Sequence, residues 1–534
     1  MDGPTIIADA FVITCDPRDY GGRMSILVRA GQIADLSLEA RVLRDLHPDA
    51  AVVDARQMLV IPGFVNAHFH PGSLLFRDLT SQLTFPAWKE DPRFMERTSR
   101  IASPAFHEDL LVVLALAAVR HLRSGVTTVS QVIPPVDARQ LMPIQEAVLS
   151  NGVRTVTVLV TWDQIAEVHH GTARAQQISI SLGNVEDFTV YSFDNLTRAA
   201  RELGVPLFAD LGEVKEEVET VRRYFKKGLL SLLRDFKALD PSLHCVHVNH
   251  GGSEDVRLAA EHGVTITLSP RSAAAKRSGY PLLRHLGDQP VQLCLGTDWG
   301  DTDMLREMTF MNDLPLLFAG MPMFTPLELL RMATINGAKA LGLSGETGSI
   351  ERGKQADLVA FGLKPADLQH LGDVPAAPEL ASVLLMNLTR SDIVRVMAQG
   401  TTVYQNGSCT LLDEAAIVSG FRRIYASMAG LLVDPSPAGR ARIIPFVSPP
   451  APRTTESEGF EEGFAKTRES ARPSAPGPAA PGVQPGQSDQ AGQEGAPPVP
   501  DQIAPFRHEA RRPELSKNVR RVFGDDDDPA PQHK

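Results

Sequence analysis

His68 and His70 stand two residues apart at the end of the run Leu59-Val-Ile-Pro-Gly-Phe-Val-Asn-Ala-His-Phe-His70. The apolar residues before them read as a buried strand, and on an extended strand side chains at i and i+2 share one face. Two imidazoles on one face can bind one metal ion. A histidine pair alone is common by chance, but a second apolar run, Val291-Gln-Leu-Cys-Leu-Gly-Thr-Asp298, ends in a carboxylate beside a glycine. Active-site side chains gathered at the C-terminal ends of separate strands are the signature of a parallel barrel.

The elements needed to position these residues are legible along the chain. Residues 1–60 read as short strands, Thr5–Cys15, Ser25–Ala30 and Gln32–Leu36. Residues 61–340 alternate helix and strand. A helix Glu108–Ser124 closes at Gly125 and is followed by strand Val126–Val132. Ser192 can N-cap a helix to Leu203, closed by Gly204 and followed by strand Val205–Asp210. Helix Ser253–His262, Gly263 and strand Val264–Leu268 repeat the unit. Repeated αβ units predict a closed (β/α)8 TIM-like barrel in the α/β class. Residues 341–412 return to strands, with Ile393–Gln399 and Thr401–Gln405 divided by Gly400. The small β-sandwich domain is thus expected to be discontinuous, with a helical appendage over 413–447.

These motifs resemble those of the amidohydrolase superfamily, in its branch of cytosine deaminase, S-adenosylhomocysteine deaminase and triazine hydrolases. Pro62–His70 is similar to the first metal motif, His244-Cys-Val-His247 to the strand-six motif, and Gly296-Thr-Asp298 to the last. Ser269-Pro-Arg-Ser272 is similar to a fourth motif, with Ala273 where relatives carry asparagine. The resemblance runs from about Ala8 to about Gly407.

That resemblance implies one divalent ion, zinc first and iron or manganese next, held by His68, His70, a strand-five residue and Asp298. Relatives carry a histidine and a glutamate in the strand-five motif; this chain has Asp210-Leu-Gly-Glu213. Asp210 is therefore the expected fourth ligand, and its carboxylate makes the site harder and more anionic. The resemblance implies catalytic roles for Glu213, His244 and Asp298: a proton shuttle to a ring nitrogen, an orienting imidazole, and a base. Glu213 could instead pair with Lys215 or Arg222 on the next helix. His247 and His250 lie nearby, but nothing in the sequence places them at the metal, and they read as loop residues or as residues supporting the ligands from behind. The chain has no lysine between Lys89 and Lys215, which removes the bridging lysine of two-metal relatives and points to a mononuclear centre. Arg77, Trp88, Arg271 and Trp299 are the candidates for substrate contact; an indole after Asp298 would narrow the pocket or stack on a flat ring.

The expected function is metal-dependent hydrolysis of a non-peptide C–N bond, deaminating an amino-substituted N-heterocycle. The alternative is a degenerate relative that keeps the barrel as a binding or scaffold protein. A net charge of −11 argues against nucleic acid as partner. Cys15, Cys245, Cys294 and Cys409 show no paired spacing, as in a reducing compartment. The N-terminus carries no basic and apolar leader, and no run reaches a membrane span. A cytoplasmic protein that takes a small-molecule substrate, forms a homo-oligomer and has no membrane partner is expected. Residues 448–534 are rich in Pro, Ala, Gly, Ser and Gln and are expected to be a disordered tail. Within it, Leu515–Phe523 has helical apolar spacing and is a candidate docking peptide for a protein partner.

Overall fold

Two sheets organise the chain, and the histidine motif begins where one gives way to the other. The first strands are β1 (Thr5–Ile13), β2 (Gly21–Arg29), β3 (Gln32–Ser37), β4 (Ala51–Asp54) and β5 (Met58–Pro62). Then come eight staves: β6 (Phe64–Phe69), β7 (Val126–Gln131), β8 (Arg154–Leu159), β9 (Ile178–Ser181), β10 (Leu207–Leu211), β11 (Leu243–His247), β12 (Thr265–Leu268) and β13 (Gln292–Leu295). These pair in parallel in the order β13 to β6. A parallel bridge between Phe69 and Asp298 closes the ring. The computed structural model describes residues 3–429, apart from 81–84, 135, 137–139, 170–177, 184–189, 288, 320–321, 370 and 372–374. All of these belong to one compact unit, Met1–Arg453.

The staves are buried because a barrel strand is covered on both faces, by interior side chains and by the helical shell. Every residue of β6, β7, β8 and β11 is buried. Phe64 and Phe69 are fully so, each contributing roughly 1.5–3 kcal/mol. After the barrel the chain adds β14 (Leu358–Gly362), β15 (Ile393–Ala398), β16 (Thr401–Gln405) and β17 (Ser408–Cys409) to β1–β5. β14 pairs with β5, the strand that leads into β6. The small domain is therefore one mixed sheet assembled from both sides of the barrel. A buried ion pair ties it on: Arg154 of β8 donates to Asp357, just before β14, at 2.6 Å.

Helix Ser253–His262 falls where its caps predict, with Gly263 left-handed at φ 67. The helix expected to begin at a Ser192 N-cap starts earlier, at Val190, so Ser192 lies within it. Helix Glu414–Met428 packs on helix His107–Leu122 through Ile424, Met428 and Val112. Arg100 donates to the backbone of Ser427. Among the described residues, no single helix is long and apolar enough to cross a membrane. The expected tail and its Leu515–Phe523 peptide lie outside the described residues.

Candidate metal centre

His68 and His70 reach the mouth from the end of β6, and Asp298 meets them from the end of β13. His68 Nε2 lies 3.2 Å and His70 Nε2 3.4 Å from Asp298 Oδ1. The backbone forces the approach: the amides of Thr297 and Asp298 both donate to the His68 carbonyl at 2.9 Å. Gly296 makes this possible, since a Cβ there would lie 2.9 Å from the His68 Cβ. Asp298 itself is left-handed, at φ 49. Strain of this kind persists where the surroundings over-determine it, commonly at functional sites.

The other oxygen of Asp298 is already held. Oδ2 accepts from Ser272 at 2.7 Å and from Lys276 Nζ at 2.6 Å. Burial opposes ionisation of Asp298, but the ammonium of Lys276, together with His247 and His68, overcomes that cost and holds its carboxyl well below the usual range. The His70 pKa is lowered as well, to about 3, by burial and by His68 beside it, which keeps the imidazole neutral. A neutral imidazole and an ionised carboxylate are the protonation states a metal ion requires.

Asp210 and Glu213 sit on and just after β10. Asp210 Oδ1 is 3.7 Å from His247 Nε2, and Glu213 Oε1 is 3.6 Å from the same atom. Glu213 Oε1 also accepts from Lys276 at 2.5 Å. The alternative partner Lys215 pairs instead with Glu219, at 3.2 Å. Behind these groups Glu217 accepts from the Glu213 amide at 3.0 Å, and burial with Asp210 nearby lifts its carboxyl to about 7.

Two expectations need correction. His244 does not join the carboxylates. Its Nε2 pairs with Thr267 Oγ1 on the neighbouring stave, and its ring meets Phe208 at 5.6 Å. The imidazole among the carboxylates is His247. Strand alternation alone would set His247 on the face opposite Val246, but positive φ at His247 (72) and Val248 (50) breaks the alternation. No spacing rule carries that signal. Trp88, expected at the pocket mouth, is 1% exposed and packs edge-on against Trp299 at 4.8 Å. Its indole is drawn into the apolar cluster with Phe94 and Phe76 instead.

The remaining candidates follow β6, β12 and β13 in the chain. Trp299 is half-buried, with its ring 5.4 Å from that of His70 and tilted by 32°. Arg77 Nη2 lies 3.4 Å from Asp301, which also takes Arg120 at 2.8 Å. The Arg271 amide donates to Glu307 at 3.1 Å, and its guanidinium stands 3.8 Å from the same carboxyl. Lys276, which sequence reasoning passed over, is the most consequential addition.

The donor set fits a divalent ion. His68, His70 and Asp298 offer ligand atoms within 4.8 Å of one another, and so do His68, Asp210 and His247. Both nitrogens of His68 and Oδ1 of Asp298 are buried without a hydrogen bond of acceptable geometry. Leaving three such atoms unsatisfied costs about 1–3 kcal/mol each unless something else binds them.

Comparison with known proteins identifies the family and the fold. The amidohydrolase family matches residues 59–403. A 5-methylthioadenosine/S-adenosylhomocysteine deaminase of Moorella thermoacetica is 29% identical, over 68% of this chain and 86% of its own. A 5′-deoxyadenosine deaminase of Methanosarcina mazei is 25% identical, over 77% and 95%. Among solved structures, an adenosine deaminase from Xanthomonas campestris with bound zinc superposes with a TM-score of 0.69 at 23% identity, covering 80% of this chain and 98% of that one. A zinc complex of atrazine chlorohydrolase from Arthrobacter aurescens TC1 superposes with a TM-score of 0.62 at 18% identity, covering 79% and 100%.

Proposed function

The chain belongs to the amidohydrolase family, and from that premise we propose that it deaminates a 6-aminopurine nucleoside, replacing the amino group by oxygen and releasing ammonia. The reaction class is metal-dependent hydrolysis of a non-peptide C–N bond in an amino-substituted N-heterocycle. The purine is supported by the adenosine-type substrates in the names of the relatives. The alternative of a barrel kept without hydrolysis is set aside. The observation that carries the reading is Asp298, with one oxygen facing His68 and His70 and the other fixed by Ser272 and Lys276.

In this reading His68, His70, Asp210 and Asp298 hold the ion, which when bound supplies Lewis acidity and lowers the pKa of a water toward ~7. Glu213, tethered through Oε1 by Lys276, keeps Oε2 to carry a proton to the ring nitrogen beside the amino-bearing carbon. His247 Nε2, facing Glu213, Asp210 and Asp298, orients the attacking water and steadies the developing oxyanion, the part first expected of His244. General acid–base help of this kind is worth typically 10²–10⁴-fold. Trp299 offers an aromatic face for the purine. Zinc as the ion, a homo-oligomer and a cytoplasmic location belong to the same proposal.

Purified protein should release ammonia from adenosine, 5′-methylthioadenosine or S-adenosylhomocysteine, with the absorbance change of a 6-amino to a 6-oxo purine. Absence of turnover on all three by a zinc-loaded, folded protein would sink the purine reading.

A further inference from the structure

The donor atoms at the barrel mouth outline more than one cation position. Two of the three donor groups share His68. The third consists of Glu213, His247 and Asp298, all buried. His247 Nε2 lies 3.6 Å from Glu213 Oε1 and 3.9 Å from Asp298 Oδ2. A tetrahedral ion with ligands at roughly 2.1 Å sets its donors about 3.4 Å apart, so this third group is close to the size a second ion needs. Lys276 Nζ already stands against it, 2.5 Å from Glu213 Oε1 and 2.6 Å from Asp298 Oδ2.

We propose that the Lys276 ammonium is a resident cation standing where a second divalent ion would otherwise bind, and that it makes this centre mononuclear. The inference rests on the metal-dependent reading above. Glu213 and Asp298 bring two buried carboxylates to the barrel mouth beside the half-buried Asp210, and buried carboxylates require compensating positive charge. An ammonium supplies one such charge permanently. It also differs from an ion in what it can do: it donates hydrogen bonds but leaves no coordination position for water. Lys276 is thus a positioning residue. It fixes one oxygen of Asp298 and one of Glu213, and so decides which oxygens are left for the ion and for the substrate.

The local fold commits the side chain to this place. Lys276 ends the helix Pro270–Lys276, which begins directly after β12, and the next residue, Arg277, is left-handed at φ 59. The lysine is 7% exposed, so its ammonium points inward and not to solvent. Ser272, one turn earlier on the same helix, bonds the same Asp298 oxygen. The two residues are four apart and therefore share a helix face.

The test counts ions in the full-length chain. Wild type, Lys276→Gln and Lys276→Arg are stripped, checked for folding by circular dichroism, and reloaded with Zn²⁺ or Co²⁺. Content is read by mass spectrometry, and proximity by magnetic coupling between Co²⁺ ions. The expected result is one ion for wild type and Lys276→Arg, and two coupled ions for Lys276→Gln. A folded Lys276→Gln protein that still takes a single ion overturns the proposal. Wild type has its own arm: coupled Co²⁺ ions in the unmodified protein overturn the proposal even if the glutamine variant does not fold. A wild-type protein that binds no ion at all overturns the metal-dependent reading itself, which is a different failure.

Discussion

Asp210 Oδ1 and His247 Nε2 face each other across adjacent staves at 3.7 Å, and both lie within reach of His68. In the proposed centre the Asp210 carboxylate would serve as a ligand, although it is shorter than the histidine that the family resemblance implies there. Asp210→His should tighten Zn²⁺ binding by on the order of tenfold, about 1.4 kcal/mol. Competition against a chromogenic chelator measures this. Unchanged or weaker binding would mean that the pocket has been rebuilt around the carboxylate.

Asp298→Ala removes the oxygen shared by His68 and His70 and the anchor of Ser272 and Lys276. The variant should purify without the ion, and turnover should fall by more than about 10²-fold. Retained metal content would move the centre elsewhere.

The two indoles should separate binding from stability. Trp299→Ala should raise KM with little loss of melting temperature, since base–aromatic stacking is worth ~1–3 kcal/mol. Trp88→Ala should instead destabilise the fold by about 3–5 kcal/mol, because its ring is almost wholly buried. A raised KM in a stable Trp88→Ala protein would return Trp88 to the pocket.

Glu307 gives a pH prediction away from the metal ligands. Burial lifts its carboxyl to about 8, against a partial pull from the Arg271 amide and guanidinium. Between about pH 4.5 and 8 the folded protein therefore holds a proton that the unfolded chain releases. Stability from this group is complete below the lower value and is lost as pH rises through the upper one. Glu307→Gln should flatten that decline and melt a few degrees higher than wild type at pH 9. Parallel melting curves for the two proteins across this range would show that Glu307 does not hold the proton.

How much could be read in advance follows from what each feature depends on. β6 and helix Ser253–His262 were legible because apolar runs, caps and glycines are local signals. So was the pairing of His68, His70 and Asp298, since strand ends of a barrel converge. His247 was not, because its direction depends on two left-handed residues that no side-chain pattern announces. Lys276 was missed for a related reason. An exposed lysine is the default, and only the approach of Glu213 and Asp298, distant in sequence, makes burial tolerable. Trp88 was misplaced because an indole suits a pocket wall and an apolar interior equally well.

The bridge between Phe69 and Asp298 is the seam of the barrel, joining its first stave to its last. β6 and β13 have no connecting loop between them; nearly the whole barrel sequence intervenes. An ion gripped by His68 and His70 on one side and Asp298 on the other would rivet that seam shut. Its affinity would then be a closure energy for the entire ring, adding stability by mass action as the free ion rises above its Kd. Stripped of the ion, the protein should exchange amide hydrogens fastest at the β6–β13 junction, while β9 to β12 stay protected. The site, on this view, is also the clasp of the ring.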